Sequence, residues 1–571
     1  MFYLTGHPLS WDALGPTNHI VSRLTLSVAL GFARWWVSYC KKNHDPASCR
    51  PGSRSPILPT RVLDVGSASC KVRLIETQGA RGRYMTMSHR WGEQMVATTE
   101  ANIRAHLQII PWVVLSNTYR DAIDFTKSLD CRYLWIDSLC IIQDNKDDWE
   151  HEAANMANIY SKSYLNIAAS QSPERNDGLF NERFRLEGMK LGKSSIEPAR
   201  VHVGGGSILV RQAPYIAHDH VLGRAHRVTT GHSDIGGIFS PVFERAWVFQ
   251  ERLLAPRTIV FHHEELVWEC AKATWCECGE INSSSTPGAT GFDELYLKGR
   301  LTRLNFNADG IVYSKEHMFS FWMDVVERYS LLNLTKESDR LPALAGLAQR
   351  LSRRFSCRYL AGMWEEDLAG NLLWSRDPWR ETWSCDDLTD YYTPTWSWIS
   401  IRPRTSSNNI KSFIRYDYIQ DYSFKTDSRF ELVATRCEYS NPYDHFGRLK
   451  YASLELRGAI IEVVLKTYEP LWKDFLTATI LHFQAESSYF RGDVGRIPYE
   501  CSHWKDMWIK AHCLLIGHSW AKNPGSDSFC LGLVLSRKSS GSYFRVGLLA
   551  LSKLRNSDWF KEANINTVII E

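Results

Sequence analysis

No apolar run in this sequence approaches the roughly 20 residues that a bilayer-spanning helix needs. The N-terminal candidate, Leu24 to Ala33, is ten residues long, is flanked by Arg23 and Arg34, and begins too far into the chain to be the apolar core of a secretion signal. Neither a membrane span nor secretion is expected. Charge of a single sign is missing too: 67 Lys and Arg stand against 63 Asp and Glu, mixed along the chain, for a net charge of +4. Without a basic stripe, nucleic acid is not the expected partner. No internal repeat or low-complexity tract stands out. Paired Cys-x-x-Cys knuckles are absent, and Gly204-Gly205-Gly206 lacks the Lys and Ser/Thr of a phosphate-binding loop, so it reads as a turn. The fourteen cysteines are scattered through a long chain whose core needs no covalent staples. They read as reduced thiols, which places the protein in the cytoplasm.

A chain of 571 residues exceeds the size at which one core keeps growing, and its 44% hydrophobic and 23% charged residues are those of an ordinary globular protein. Two or three packed units are expected. Residues 1–58 read as a helix, with Leu26, Leu30, Ala33 and Val37 on one face, followed by a Pro- and Ser-rich connector. Residues 59–260 read as an α/β unit. Val62–Val65, Val72–Ile75, Tyr84–Ser88, Arg132–Ile136 and Leu165–Ala169 have the composition of strands. Between them lie a helix capped by Ser116 and a second helix opened by Asp147 and Glu150 as a capping box. The alternation of strand and helix predicts a mostly parallel sheet, because parallel neighbours need crossover connections. Residues 261–390 read as a helical region and 391–571 as a β-rich unit, with strands near Phe430–Val433, Leu454–Val464, Leu514–Gly517, Leu531–Leu535 and Phe544–Leu551.

In open α/β sheets, ligands bind outside the carboxyl ends of the strands. His89, Arg90 and Trp91 follow one expected strand, and Asp137, Cys140 and Gln143 follow another. The two loops are expected to be neighbours lining one pocket, although tryptophans such as Trp91 and Trp135 are more often core aromatics and Asp137 could simply cap a loop. A helix that carries Trp247, Gln250, Glu251 and Leu254 and stops before Pro256 puts Trp247, Gln250 and Leu254 on one face and is expected to bring Gln250 or Glu251 to the same loops. Cys140 with His89 would make a thiol nucleophile and base, but Ile141 and Ile142 beside it mark a core cysteine. Cys40, His44 and Cys49 form one potential ligand group and Cys270, Cys276 and Cys278 another. Each offers three ligands where a closed zinc site needs four, so no metal or other cofactor is expected.

Three blocks, Tyr84-Met85-Thr86-Met87-Ser88-His89-Arg90-Trp91-Gly92, Arg132 to Asp144 (RYLWIDSLCIIQD) and Arg245 to Arg257 (RAWVFQERLLAPR), occur in order with Met156-Ala157-Asn158-Ile159-Tyr160 between the last two. Together they resemble the heterokaryon-incompatibility (HET) domain family. Further segments, Pro59–Val65, Glu337–Leu344 and Thr395–Trp398, resemble its longer members. The resemblance implies a fungal intracellular factor in self/non-self recognition and incompatibility-type cell death, with protein partners and self-association. The family's fold is likened to TIR domains, some of which cleave NAD to nicotinamide and ADP-ribose with a glutamate. By that likeness NAD is a possible substrate. Glu152, Glu182 and Glu251 are then the alternative catalytic carboxylates, beside a binding set of His89, Arg90, Trp91, Asp137, Cys140, Gln143 and Gln250.

Overall fold

The computed structural model describes residues 2–4, 20–49, 53, 55–66, 71–92, 95–170, 178–183, 199–203, 206–210, 242–262, 265–279, 283–284, 293–306, 311–376, 392–401, 414–420, 422–441, 444–466, 477–479, 488–492, 508–521, 528–552 and 560–571. Gly204, Gly205 and the polar run from His218 to Ser233 lie outside the described residues. The chain divides into two compact units, Met1–Tyr313 and Ser314–Glu571.

Besides a small antiparallel sheet of Phe2–Leu4, Ala199–Val203 and Gly206–Val210, the described residues of the first unit form nine strands: β1 (Arg61–Asp64), β2 (Arg73–Glu76), β3 (Tyr84–Ser88), β4 (Tyr133–Trp135), β5 (Asn166–Ala169), β6 (Arg257–Phe261), β7 (Leu266–Cys270), β8 (Ala273–Cys276) and β9 (Ser283–Ser284). They form one sheet in the order β9-β8-β7-β6-β5-β3-β4-β1-β2. Neighbours run parallel only across the centre, from β6 through β5 and β3 to β4. The flanking pairs are antiparallel. The sheet is therefore mixed rather than mostly parallel, and connection length gives the reason. Helices fill the links β3 to β4, β4 to β5 and β5 to β6, whereas β6 to β7 and β7 to β8 are joined by links too short for a crossover. Strands β7 and β8 carry the sheet past residue 260, into the stretch whose later helical spacing had masked them.

The helices of this unit are α1 (Leu26–Asn43), α2 (Pro46–Cys49), α3 (Ile103–Gln108), α4 (Asn117–Ser128), α5 (Asp137–Cys140), α6 (Lys146–Lys162), α7 (Ala246–Leu254) and α8 (Asp293–Phe306). Ser116 caps α4 by accepting from the Tyr119 N–H, and Tyr119, Ala122, Ile123, Phe125 and Thr126 are buried. Helix α6 starts earlier than its acidic residues suggest. Asn145 is the cap and accepts from the Asp148 N–H, which leaves Asp147 and Asp148 in the first turn and Glu152 in the second. Helix α1 buries Ala29, Ala33, Trp36, Val37 and Cys40, a stripe rotated from the expected one, because Trp36 packs near Trp268 of β7 at 6.2 Å between ring centroids. Leu26 and Leu30 are left half-buried.

In the second unit, α9 (Lys315–Tyr329) and α10 (Pro342–Phe355) precede the strands β10 (Tyr422–Thr426), β11 (Glu431–Tyr439), β12 (Leu449–Lys466), β13 (Trp508–Ala521), β14 (Ser528–Arg537), β15 (Tyr543–Ser552) and β16 (Asn564–Ile570). They pair in the order β10-β13-β14-β15-β16-β12-β11, and β12 also pairs with β13, which closes a ring of five strands. Strands β10 and β11 lie outside the ring, each paired along one side. The expected β-rich C-terminal region is thus present. Trp322 and Trp398 are buried in this unit, and both indoles donate to the Gly362 carbonyl, at 2.8 and 2.9 Å. No helix among the described residues is long and apolar enough to cross a membrane.

Candidate functional site

Strand β3 ends at Ser88, in the middle of the parallel part of the sheet, so the residues after it emerge at the carboxyl edge beside α5, which follows β4. Period-two alternation puts Thr86 and Ser88 on one face of β3. Both meet Asn166 of β5: the Thr86 hydroxyl donates to Asn166 Oδ1 at 3.0 Å, and Asn166 Nδ2 donates to Ser88 Oγ at 3.0 Å. Its acceptor role filled, Ser88 gives its own proton to Glu251 Oε2 at 2.5 Å. A chain of neutral dipoles thus leads from the sheet to a carboxyl on α7.

The two expected loops are neighbours. His89 Nδ1 lies 3.6 Å from Asp137 Oδ1, and the Trp91 indole N–H donates to Asp137 Oδ2 at 3.0 Å. Asp137 also accepts from the Ser138 backbone N–H at 2.8 Å. On its other side His89 Nε2 is 2.8 Å from the Tyr119 hydroxyl, which is 2.6 Å from Ser138 Oγ. The Arg245 guanidinium donates to the His89 carbonyl and so ties the start of α7 to this loop. His89 is buried, yet its Nδ1 has no hydrogen-bond partner among the described residues.

Burial sets the electrostatics. Glu251 is 4% exposed, forms no ion pair among the described residues, and has a pKa raised to about 7. Desolvation is the main cause and the Asp137 charge adds to it, while Ser88, Arg245 and Tyr160 pull the other way. Burial likewise lowers the pKa of His89, opposed by Asp137 and reinforced by Arg245, so the imidazole is held neutral. Desolvation pushes the phenols of Tyr119 and Tyr160 upward, which keeps both as hydrogen-bond donors. The arrangement can take up or release a proton near neutrality at Glu251, and it presents an exposed indole, Trp91 at 41% exposure, above the carboxylate of Asp137.

The other expected residues divide between this cluster and elsewhere. Gln250 is buried on α7 with Leu254, whereas Trp247 is only half-buried and meets Trp149 edge-on at 6.1 Å. Gln143 Nε2 donates to the Asp137 and Ile141 carbonyls at 3.0 Å, so it braces the loop from below. Arg90 is exposed. Cys140 is buried, its thiol pushed up to about 12 by desolvation, and the partners of His89 are Tyr119 and Asp137 rather than this sulfur. Glu152 is buried on α6 in the field of Arg61 and Asp148, with its pKa raised by burial. Glu182 is exposed, and its backbone forms an isolated antiparallel β-bridge with Arg23. Of the three carboxylates, Glu251 is the one joined by a described contact to the loop of His89. Ser88, Tyr119, Tyr160 and Asn166 complete the cluster and are not among the expected site residues, although Ser88 and Tyr160 stand in the quoted blocks. A serine closing a strand that alternates Thr86 with Ser88 is the sequence signal that marks the first of them.

The metal-ligating side chains regroup across the expected triads. Atoms of Cys40, His44, Cys49 and Cys270 all lie within 4.8 Å of one another, and so do those of Glu265, Cys276 and Cys278. Cys270 thus stands with the first triad, away from its near neighbours in sequence.

Residues 84–251 match the family model described as Heterokaryon incompatibility protein (HET), a segment that runs from the first residue of β3 to Glu251 itself. No curated protein and no solved structure matches the chain.

Proposed function

Given that residues 84–251 form a HET domain, we propose that the protein acts in fungal self/non-self recognition, promoting incompatibility-type cell death by assembling with protein partners. The Glu251, His89 and Asp137 cluster is the centre on which that activity depends. One observation carries this reading: the domain spends stability on a buried carboxyl that meets hydroxyls where a pairing guanidinium would cost less. Such an arrangement suits a group that must change its protonation or its partner during function. Expressing the full chain in a fungal host tests it. Glu251→Gln and Asp137→Asn should each abolish loss of viability at unchanged protein level.

A TIR-like NAD hydrolase is the second reading, favoured by the position of Glu251 at the carboxyl edge of parallel strands beside Asp137 and an exposed indole. In that reaction a carboxylate must be ionised to stabilise the positive charge that develops on the ribose. Since Glu251 titrates at about 7, nicotinamide release would rise with pH through that value. Release that is independent of pH across neutrality, or unaltered in Glu251→Gln, would remove this reading and leave the assembly role in place.

A further inference from the structure

We propose that Cys40, His44, Cys49 and Cys270 form a structural zinc site that fastens the N-terminal helix α1 to the end of strand β7. The four residues come from three elements. Cys40 lies in the last turn of α1, His44 caps that helix, Cys49 ends α2, and Cys270 ends β7. His44 Nδ1 stands 3.5 Å from Cys270 Sγ and 3.6 Å from Cys49 Sγ. With metal–sulfur and metal–nitrogen bonds of about 2.3 and 2.0 to 2.1 Å, neighbouring S and N ligands of a tetrahedral ion are about 3.5 to 3.6 Å apart, so one ion fits between them. The three sulfurs are buried, at 1%, 0% and 2% exposure for Cys40, Cys49 and Cys270. Four protein ligands leave no open position, which is the pattern of a structural rather than a catalytic zinc.

The surroundings match the charge of such a centre. Zinc with three thiolates and a neutral imidazole carries one net negative charge. The Arg257 guanidinium donates to Cys40 Sγ at 3.4 Å, and the buried Lys298 ammonium, whose Nζ has no hydrogen-bond partner among the described residues, lies in the field of Glu269, Cys270 and Cys49. A thiolate centre gives Arg257 a negative partner and adds to Glu269 opposite Lys298. The His44 ring is held in place by Trp275 at 5.7 Å and by Tyr39 edge-on at 6.2 Å, a fixed orientation of the kind that supports metal-bound imidazoles. Glu265, Cys276 and Cys278 supply only three ligands among the described residues and are not part of the proposed site.

The test is metal content of the full chain, purified without added metal and measured by elemental analysis. Cys270→Ser and His44→Ala should each lower bound zinc by one ion per chain relative to the parent, and His44→Cys, which preserves four ligands, should retain it. Cys276→Ser should leave this ion in place. Should the cysteine variants fail to fold, cobalt added to the Cys276→Ser protein gives a second readout: intense visible ligand-field bands with thiolate charge transfer are expected for a tetrahedral site. The proposal is overturned by parent protein that holds no zinc and takes up neither zinc nor cobalt. It is also overturned by a weak octahedral cobalt spectrum, by a disulfide among these cysteines, or by zinc content that Cys270→Ser leaves unchanged.

Discussion

Glu251 and Arg252 are adjacent on one helix, yet they belong to two regions of the sheet that treat buried charge in opposite ways. On the antiparallel side, Arg252 pairs with Glu269 of β7, and Arg183 grips Glu277 through two bonds of 2.7 and 2.6 Å with both side chains 1% exposed. Both of these carboxylates meet a guanidinium. On the parallel side, Glu251 meets Ser88, and Asp137 meets an indole, a backbone amide and a neutral imidazole. Charge is neutralised in the first region and left under-compensated in the second, where we propose that the function resides. A raised carboxyl alone would not make that distinction. Glu327 and Asp367 in the second unit are also pushed to about 7 by burial, but one accepts from a Tyr416 backbone N–H and the other from Asn371 within packed elements. What separates Glu251 from them is its convergence with His89, Asp137 and Trp91 at a strand edge.

The largest expected effect breaks the antiparallel side. Arg183→Met strands Glu277 without its partner and should cost about 3 to 5 kcal/mol in urea denaturation, most of it recovered in the double variant Arg183→Met/Glu277→Leu. A loss below about 1 kcal/mol would mean that the pair is not buried as described.

On the parallel side the sign reverses. The folded pKa of Glu251, about 7, lies above its ordinary value of 4.5, so the native state binds the extra proton. The stability this contributes is fully present below the unfolded value and is lost as pH rises through about 7. Glu251→Gln should therefore stabilise the protein above neutrality, by up to about 3 kcal/mol, and flatten its stability between these two pH values. Destabilisation by this change at alkaline pH would contradict the reading.

Ser88→Ala should cost about 1 to 2 kcal/mol and move the Glu251 transition to still higher pH, because the carboxylate loses its donor. The midpoint of the stability difference between Ser88→Ala and Ser88→Ala/Glu251→Gln measures that shift. Trp91→Phe sits at the small end. An exposed side chain that gives up one hydrogen bond should alter stability by less than about 1 kcal/mol, while the activity of the chain falls.

Much of this layout was readable in advance where local rules decide it. Strand β3 has the expected bounds, Ser116 caps its helix, and the loops at His89 and Asp137 meet as the alternation of strand and helix requires. Long-range partners were not readable. Tyr119 sits on the apolar stripe of α4 and reads as core until its hydroxyl is seen against His89, and Asn166 reads as an interruption in a buried strand until Thr86 and Ser88 stand beside it. Sequence spacing groups Cys270 with Cys276 and Cys278, but a turn after β7 carries those two to the far end of the next strand and leaves Cys270 with α1. Strand direction is illegible for a similar reason: the alternation that identifies crossovers is silent about the hairpins β6-β7-β8, whose short links decide the matter.

In the function we propose, the segment that matches the HET model works through the under-compensated carboxyl of Glu251 rather than merely folding around it. The most direct test pairs two readings on one protein, Glu251→Gln in the full chain: unfolding free energy above pH 7, and loss of host viability on expression. The account predicts a protein more stable than its parent that no longer kills. Undiminished killing by this stabilised variant would contradict it.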